Sequence, residues 1–252
     1  MRLKDKVAVI TGGAEGIGKA YALGYAAEGA RVVLADINLQ AAEELANTMT
    51  EQGNEVLAIK TDVSEVADTE EMVRKALERF GRIDILVNNA ASFQRPAANW
   101  APVWELEPAE WERVIKVNLT GVFLCCRAVL PSMIKQQSGK IINIASDLGF
   151  RGAAEFSHYS TSKGGVITFT RSLAREVGEY NINVNTICPG FTLSMGQDPQ
   201  TNRDSGRDMP GRILKRPEYP EDLVGTAIYL ASSDSDFMTG QALVVDGGVM
   251  LH

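Results

Sequence analysis

Short apolar runs rich in β-branched residues alternate along the chain with longer stretches whose apolar positions recur at helical spacing. That alternation predicts βαβ units around a parallel sheet with both faces buried. The predicted strands are 7–11, 31–36, 56–61, 83–88, 140–145, 183–188 and 242–246. Between the first of them, helical segments from Ile17, Leu39 and Ser64 stop at Gly29, Gly53 and Gly81, each placed to take a left-handed cap. The fold expected is α/β: one domain over 1–252, a doubly wound parallel sheet of seven strands with helices on both faces. Residues 191–220 break the pattern, with Pro199, Pro210, Pro217 and Pro220 among polar residues. They read as a long excursion over the carboxyl edge of the sheet, and 191–216 is the expected substrate lid.

Composition removes alternatives without adding chemistry. With 252 residues, 45% hydrophobic and 23% charged, the chain has globular usage rather than that of a disordered or collagen-like protein. Twenty-five basic against 32 acidic residues, net -7, leave no footprint of a general nucleic-acid binder. Cys125, Cys126 and Cys188 suit neither a disulfide framework nor a zinc site, and His158 and His252 are too few for a histidine triad or a multi-histidine metal site. No metal is expected. The apolar run at 7–10 is too short for a signal-peptide core or a membrane span, so a cytoplasmic protein without membrane contact is expected.

The first strand runs into Thr11-Gly12-Gly13-Ala14-Glu15-Gly16-Ile17-Gly18, where a helix opens. Amides at a helix N-terminus bind phosphate, and glycines there let a pyrophosphate approach the main chain. The spacing G-x-x-x-G-x-G is not the G-x-G-x-x-G fingerprint. Gly13 to Lys19 spells the opening of a triphosphate P-loop, but Ala20 lacks the hydroxyl that would hold magnesium. A glycine-rich turn without any ligand is the plain alternative. The second strand ends at Asp36, where a carboxylate is placed to accept hydrogen bonds from an adenosine ribose and to repel a 2′-phosphate. Glu15 adds a second negative charge, and Ile37 and Asn38 follow Asp36 in place of a basic residue. NAD is therefore expected over NADP.

After the fifth strand come Ser146 and then Tyr159-Ser160-Thr161-Ser162-Lys163. Four apart on a helix, Tyr159 and Lys163 share a face, and a nearby ammonium favours the phenolate over the phenol. Taken alone, such a pair is more often a surface helix contact.

Together these residues resemble the short-chain dehydrogenase/reductases over essentially the whole chain. The likeness rests on Thr11-Gly12-x-x-x-Gly16-x-Gly18, Asp62-Val63, Asn88-Asn89-Ala90, Asn118, Ser146, Tyr159-x-x-x-Lys163 and Pro189-Gly190, in that order. It implies a Rossmann-type fold and an NAD-dependent interconversion of a secondary alcohol and a ketone, with a small-molecule substrate and a homotetrameric assembly. It further implies Tyr159 as general acid/base, Ser146 on the substrate oxygen, Lys163 on the nicotinamide ribose while lowering the tyrosine pKa, and Asn118 holding a relay water. Cofactor contacts are implied for Gly12, Glu15, Gly16, Ile17, Gly18, Asp36, Asp62, Val63, Asn88, Asn89, Ala90, Asn118, Tyr159, Lys163, Ile187, Pro189, Gly190, Thr192 and Ser194. Ala91 and Ala145 depart from the family's usual Gly and Ser. Ser194 stands where a Thr is usual and is expected to hold the nicotinamide carboxamide, with Thr192 as helper.

Other classes remain as alternatives: an NADP-linked ketone reductase, an NAD-binding regulatory module without turnover, and a P-loop phosphotransferase. Phe93, Trp100 and Trp104 are expected to shape the substrate mouth or to fill a subunit surface. His158 is expected on the surface or at a subunit contact, Cys125 and Cys126 inside a helix, and the glycosylation pattern at Asn118 to be coincidental. Arg95, Arg151, Arg203, Arg207 and Arg212 are expected to be scattered over the surface unless several converge on the mouth.

Overall fold

The computed structural model describes residues 1–93, 100–193 and 211–251. Seven strands, β1 (Val7–Thr11), β2 (Arg31–Asp36), β3 (Val56–Lys60), β4 (Ile85–Asn88), β5 (Gly139–Ile144), β6 (Ile182–Pro189) and β7 (Ala242–Val245), form one sheet. All neighbours pair in parallel, in the order β3-β2-β1-β4-β5-β6-β7. The predicted strands are all present: the first two have the expected bounds and the others differ at their ends by one or two residues.

The connecting helices are α1 (Gly16–Ala27), α2 (Leu39–Glu51), α3 (Val66–Phe80), α4 (Pro108–Ile115), α5 (Gly121–Gln136), the single turn α6 (Leu148–Arg151), α7 (Ser157–Val177) and α8 (Pro220–Ala231). Gly29, Gly53 and Gly81 have φ of +86°, +87° and +76°, the left-handed conformation expected of them. Two apolar cores follow from strands buried on both sides. One joins Val9, Leu86 and Ile141 to Met72, Cys125 and Val166; the other joins Ile10, Leu34 and Ile142 to Tyr21, Leu45 and Leu223.

A π-helical stretch, Lys116–Thr120, links α4 to α5 and makes one continuous helix of Pro108–Gln136. By length and composition alone that helix could cross a membrane. Its inner face instead packs Val122, Cys125, Cys126, Val129 and Met133 into the core.

The order reverses between β1 and β4, whose connections leave toward opposite ends of the sheet. In open α/β sheets a crevice forms at that point, outside the carboxyl ends of the strands. The carboxyl ends of β1, β2, β4, β5 and β6 deliver Thr11, Asp36, Asn88, Ile144 and Pro189 to this one edge.

Candidate active site

The loop after β1 is shaped by hydrogen bonds to its neighbours. Gly12 N–H donates to Ala35 O at 2.8 Å, and Asn89 Nδ2 donates to the carbonyls of Thr11 and Gly12 at 3.1 and 2.9 Å. The Thr11 hydroxyl accepts the amides of Asn89 and Ala90, both at 3.1 Å. A side chain on Gly12 (φ +61°) would meet Ala90 Cα at 2.9 Å, and one on Gly18 would run into the Gly12 carbonyl. These two glycines permit the turn and the close helix packing.

Glu15 precedes α1 without a side-chain capping bond, so the N-cap side chain leaves the amides of the helix's first turn unclaimed. Asp36 Oδ2 accepts the Ala14 amide at 3.0 Å, which sets a carboxylate directly beside the loop. Free helix-terminal amides, a glycine turn and an acidic strand tip fit a dinucleotide. The P-loop reading lacks its magnesium hydroxyl, since the residue after Lys19 is Ala20.

Further along the edge, one cleft is lined by Ile17, Asn89, Phe93, Ser146, Tyr159, Lys163, Pro189, Gly190 and Thr192, among others. It therefore brings together catalytic and cofactor candidates that lie far apart in the chain. Ser146 is buried; its Oγ donates to Asp147 Oδ1 at 3.1 Å and accepts the Leu148 amide at 3.2 Å. Burial pushes the Tyr159 phenol above its ordinary value; a hydrogen bond with Ser146 opposes that and the Asp147 carboxylate adds to it. Lys163 is 2% exposed and donates to Ile144 O at 2.8 Å, and burial lowers its ammonium to about 8. Its Nζ stands 5.7 Å from the centre of the Tyr159 ring. Of the groups acting on the phenol, burial is the largest influence and Ser146 the one that favours the phenolate.

Asn118 is wholly buried in the π stretch. Its Oδ1 accepts the Ser92 amide at 2.7 Å, and its Nδ2 donates to Ser92 O and Ser162 Oγ at 3.2 and 3.3 Å. The side chain thus ties the strand β4 exit to α7, and its burial makes the glycosylation pattern a coincidence. Asp62 and Val63 follow β3, with Val63 packed under Gly121, where a Cβ would meet its Cγ2 at 2.8 Å. Ile187 is fully buried in β6.

Three expectations need correcting. Asn88 turns into the core: its Nδ2 donates to Asn143 Oδ1 at 2.9 Å and it is 2% exposed, because successive residues of a strand face opposite sides. His158 is buried rather than on the surface, 4.0 Å from Glu110, and burial lowers its pKa. Arg212 is 4% exposed rather than on the surface, and its Nη2 donates to Phe191 O at 3.1 Å. Thr192, for its part, donates to Glu218 Oε1 at 2.8 Å, a partner the sequence did not indicate. Ser194, Arg95, Arg203, Arg207 and most of the lid lie outside the described residues.

Within 92–107 the tryptophans separate. Trp104 is exposed, whereas the Trp100 ring lies tilted against Phe156 at 4.6 Å and Phe93 at 5.8 Å, and Phe93 reaches the Tyr159 ring at 4.9 Å. An aromatic wall therefore stands beside the phenol.

Residues 6–204 match the model of the family described as short chain dehydrogenase. The chain belongs to that family. As a short-chain dehydrogenase it resembles several characterised relatives over nearly its full length. It is 38% identical over 248 residues to (2S)-[(R)-hydroxy(phenyl)methyl]succinyl-CoA dehydrogenase subunit BbsD of Thauera aromatica, covering 98% of each chain. With the 3-oxoacyl-[acyl-carrier-protein] reductase FabG of Thermotoga maritima it shares 37% identity over 255 residues and 100% of both. Galactitol 2-dehydrogenase of Agrobacterium fabrum is 39% identical over 263 residues, covering 98% of each. Its structure is similar to that of levodione reductase, with a TM-score of 0.90, 33% identity and 98% of both chains covered. The protein is thus an oxidoreductase family member acting on CH–OH groups with a nicotinamide cofactor, on the Rossmann-type fold.

Proposed function

We propose that this short-chain dehydrogenase interconverts a secondary alcohol and a ketone with NAD, and that Tyr159 carries the proton. The observation behind it is the convergence of Ser146, Tyr159 and Lys163 on one cleft beside the glycine loop. A bound nicotinamide supplies the hydride acceptor or donor. The chain's residues do the rest. Ser146 Oγ holds the substrate oxygen, and the Tyr159 oxygen takes the alcohol proton in oxidation and returns it in reduction. Lys163, anchored on Ile144, binds the cofactor ribose, and Asn118 fixes the α7 end of the site. Gly12, Glu15, Gly16, Ile17, Gly18, Asn89, Ala90, Asp62 and Val63 receive the dinucleotide, with Pro189, Gly190 and Thr192 at its nicotinamide end. Asp36, already beside the loop, selects NAD by repelling a 2′-phosphate.

A panel of cyclic, aromatic and aliphatic alcohols and ketones, assayed with NAD(H) and NADP(H) by absorbance at the reduced-cofactor band, tests this. Turnover with NAD of at least one member is expected; none, with NADH still bound, would favour a binding module. We also infer a homotetramer, supported by the exposed Phe123 packed edge-on against Phe169 on the outer side of α5 and α7. Light scattering giving a monomer mass would refute it.

A further inference from the structure

Arg151 ends α6, immediately after Ser146 and Asp147, and it lines the cleft together with Tyr159 and Lys163. Of the arginines in the sequence that might have met an acidic substrate, this is the one the described structure brings to the cleft. Its Nε donates to Asp147 Oδ2 at 2.8 Å. Asp147 is itself buried, with a side chain 2% exposed, and its other oxygen holds the Ser146 hydroxyl. The guanidinium is therefore fastened to the same carboxylate that orients Ser146.

A guanidinium has five N–H donors in a fixed fork, of which this bond uses one. Among the described residues the two Nη groups have no protein partner, and the side chain keeps 36% of its exposure. An arginine scattered on the surface would spend rotamer entropy on binding a ligand. Arg151 is already held by a buried anchor, so that cost is largely met in advance. Among the described residues, the charged groups lining the cleft are Lys163, Arg151 and Asp147, two cations against one anion, in a chain of net charge -7. The site is locally positive, and a planar anion matches the free side of the fork bidentately.

We propose that Arg151 is a carboxylate subsite, so that the substrate is a secondary alcohol or ketone carrying a carboxylate near its carbinol carbon. Asp147 is the positioning residue that aims the guanidinium and Ser146 together. This rests on the alcohol–ketone reading of the same cleft and narrows it.

The test is a titration of the wild-type protein, with saturating NADH, by cyclohexanecarboxylate and by its uncharged isostere cyclohexanecarboxamide, followed by calorimetry. The carboxylate is expected to bind at least about tenfold tighter. Arg151→Gln should bring the two ligands level, and Arg151→Lys should restore part of the difference through a point charge without the fork. Because Arg151→Gln leaves the buried Asp147 unpaired, the double variant Asp147→Asn/Arg151→Gln, which removes both charges, guards against simple unfolding and should also show no preference. Equal or undetectable binding of both ligands to wild type, or a preference that survives in the double variant, overturns the proposal. The two readings fail separately: oxidation of neutral cyclohexanol without carboxylate preference sinks the subsite alone, and carboxylate preference without oxidation of any alcohol sinks the reaction alone.

Discussion

The Lys163 ammonium donates to the Ile144 carbonyl at 2.8 Å, which fastens α7 to the end of β5. The bond commits one of the lysine's protons below the cleft and leaves the tuning of Tyr159 to Ser146 and Asp147. Tyr159→Phe is expected to cut turnover roughly 100- to 10,000-fold, the usual contribution of a positioned acid/base, while NADH binding by fluorescence is kept. Normal turnover in that variant would end the assignment.

The same geometry gives the pH profile a sign. Since the Ser146 hydrogen bond lowers the Tyr159 pKa, Ser146→Ala should move the rising limb of alcohol oxidation to higher pH. Asp147→Asn removes a charge that raises it, so the limb should move the other way. Shifts in one common direction would show that the two groups do not act on the phenol.

Asp36 accepts the Ala14 amide from the glycine loop. Asp36→Asn keeps an acceptor oxygen for that amide but loses the charge. The ratio of kcat/KM with NADP to that with NAD should rise about tenfold or more, about 1.4 kcal/mol. An unchanged ratio would place cofactor choice elsewhere.

Glu218 is 5% exposed, bonded to Thr192 and 3.5 Å from Arg212, and burial raises its carboxyl from 4.5 to about 7, with Asp222 and Asp246 acting the same way. Thr192 and Arg212 pull in the opposite direction without prevailing. The folded state therefore holds this proton more tightly than the unfolded one. Stability should fall as pH rises from about 4.5 through about 7, by up to roughly 3 kcal/mol. In urea titrations across that window Glu218→Gln should flatten the dependence; an identical slope in variant and wild type would refute it.

Beneath the site a buried polar chain crosses the sheet: Asn88 to Asn143, Asn143 Nδ2 to Thr170 Oγ1 at 2.8 Å, and Thr186 Oγ1 to Thr170 Oγ1 at 2.7 Å. Thr170→Val strands two buried donors and should cost about 2 kcal/mol or more, with a matching fall in the urea midpoint. A loss under about 0.5 kcal/mol would mean that water or repacking satisfies them.

The periodic pattern of the sequence determined the sheet and its two helical layers, because strands buried on both faces read as continuous apolar runs and glycine caps mark helix ends locally. Ser146, Tyr159 and Lys163 were legible through the resemblance of the whole ordered motif set to a known family, since four-residue spacing on a helix taken alone is more often a surface contact. What the sequence left open depended on contacts between distant segments. That Asn88 faces inward, that His158 is buried, that Glu218 reaches Thr192 and that Arg151 is locked on Asp147 beside the cleft are each decided by which elements pack together. The sign of the Tyr159 shift belongs there as well: spacing brings the lysine near, but burial, a property of the whole fold, sets how strongly the proton is held.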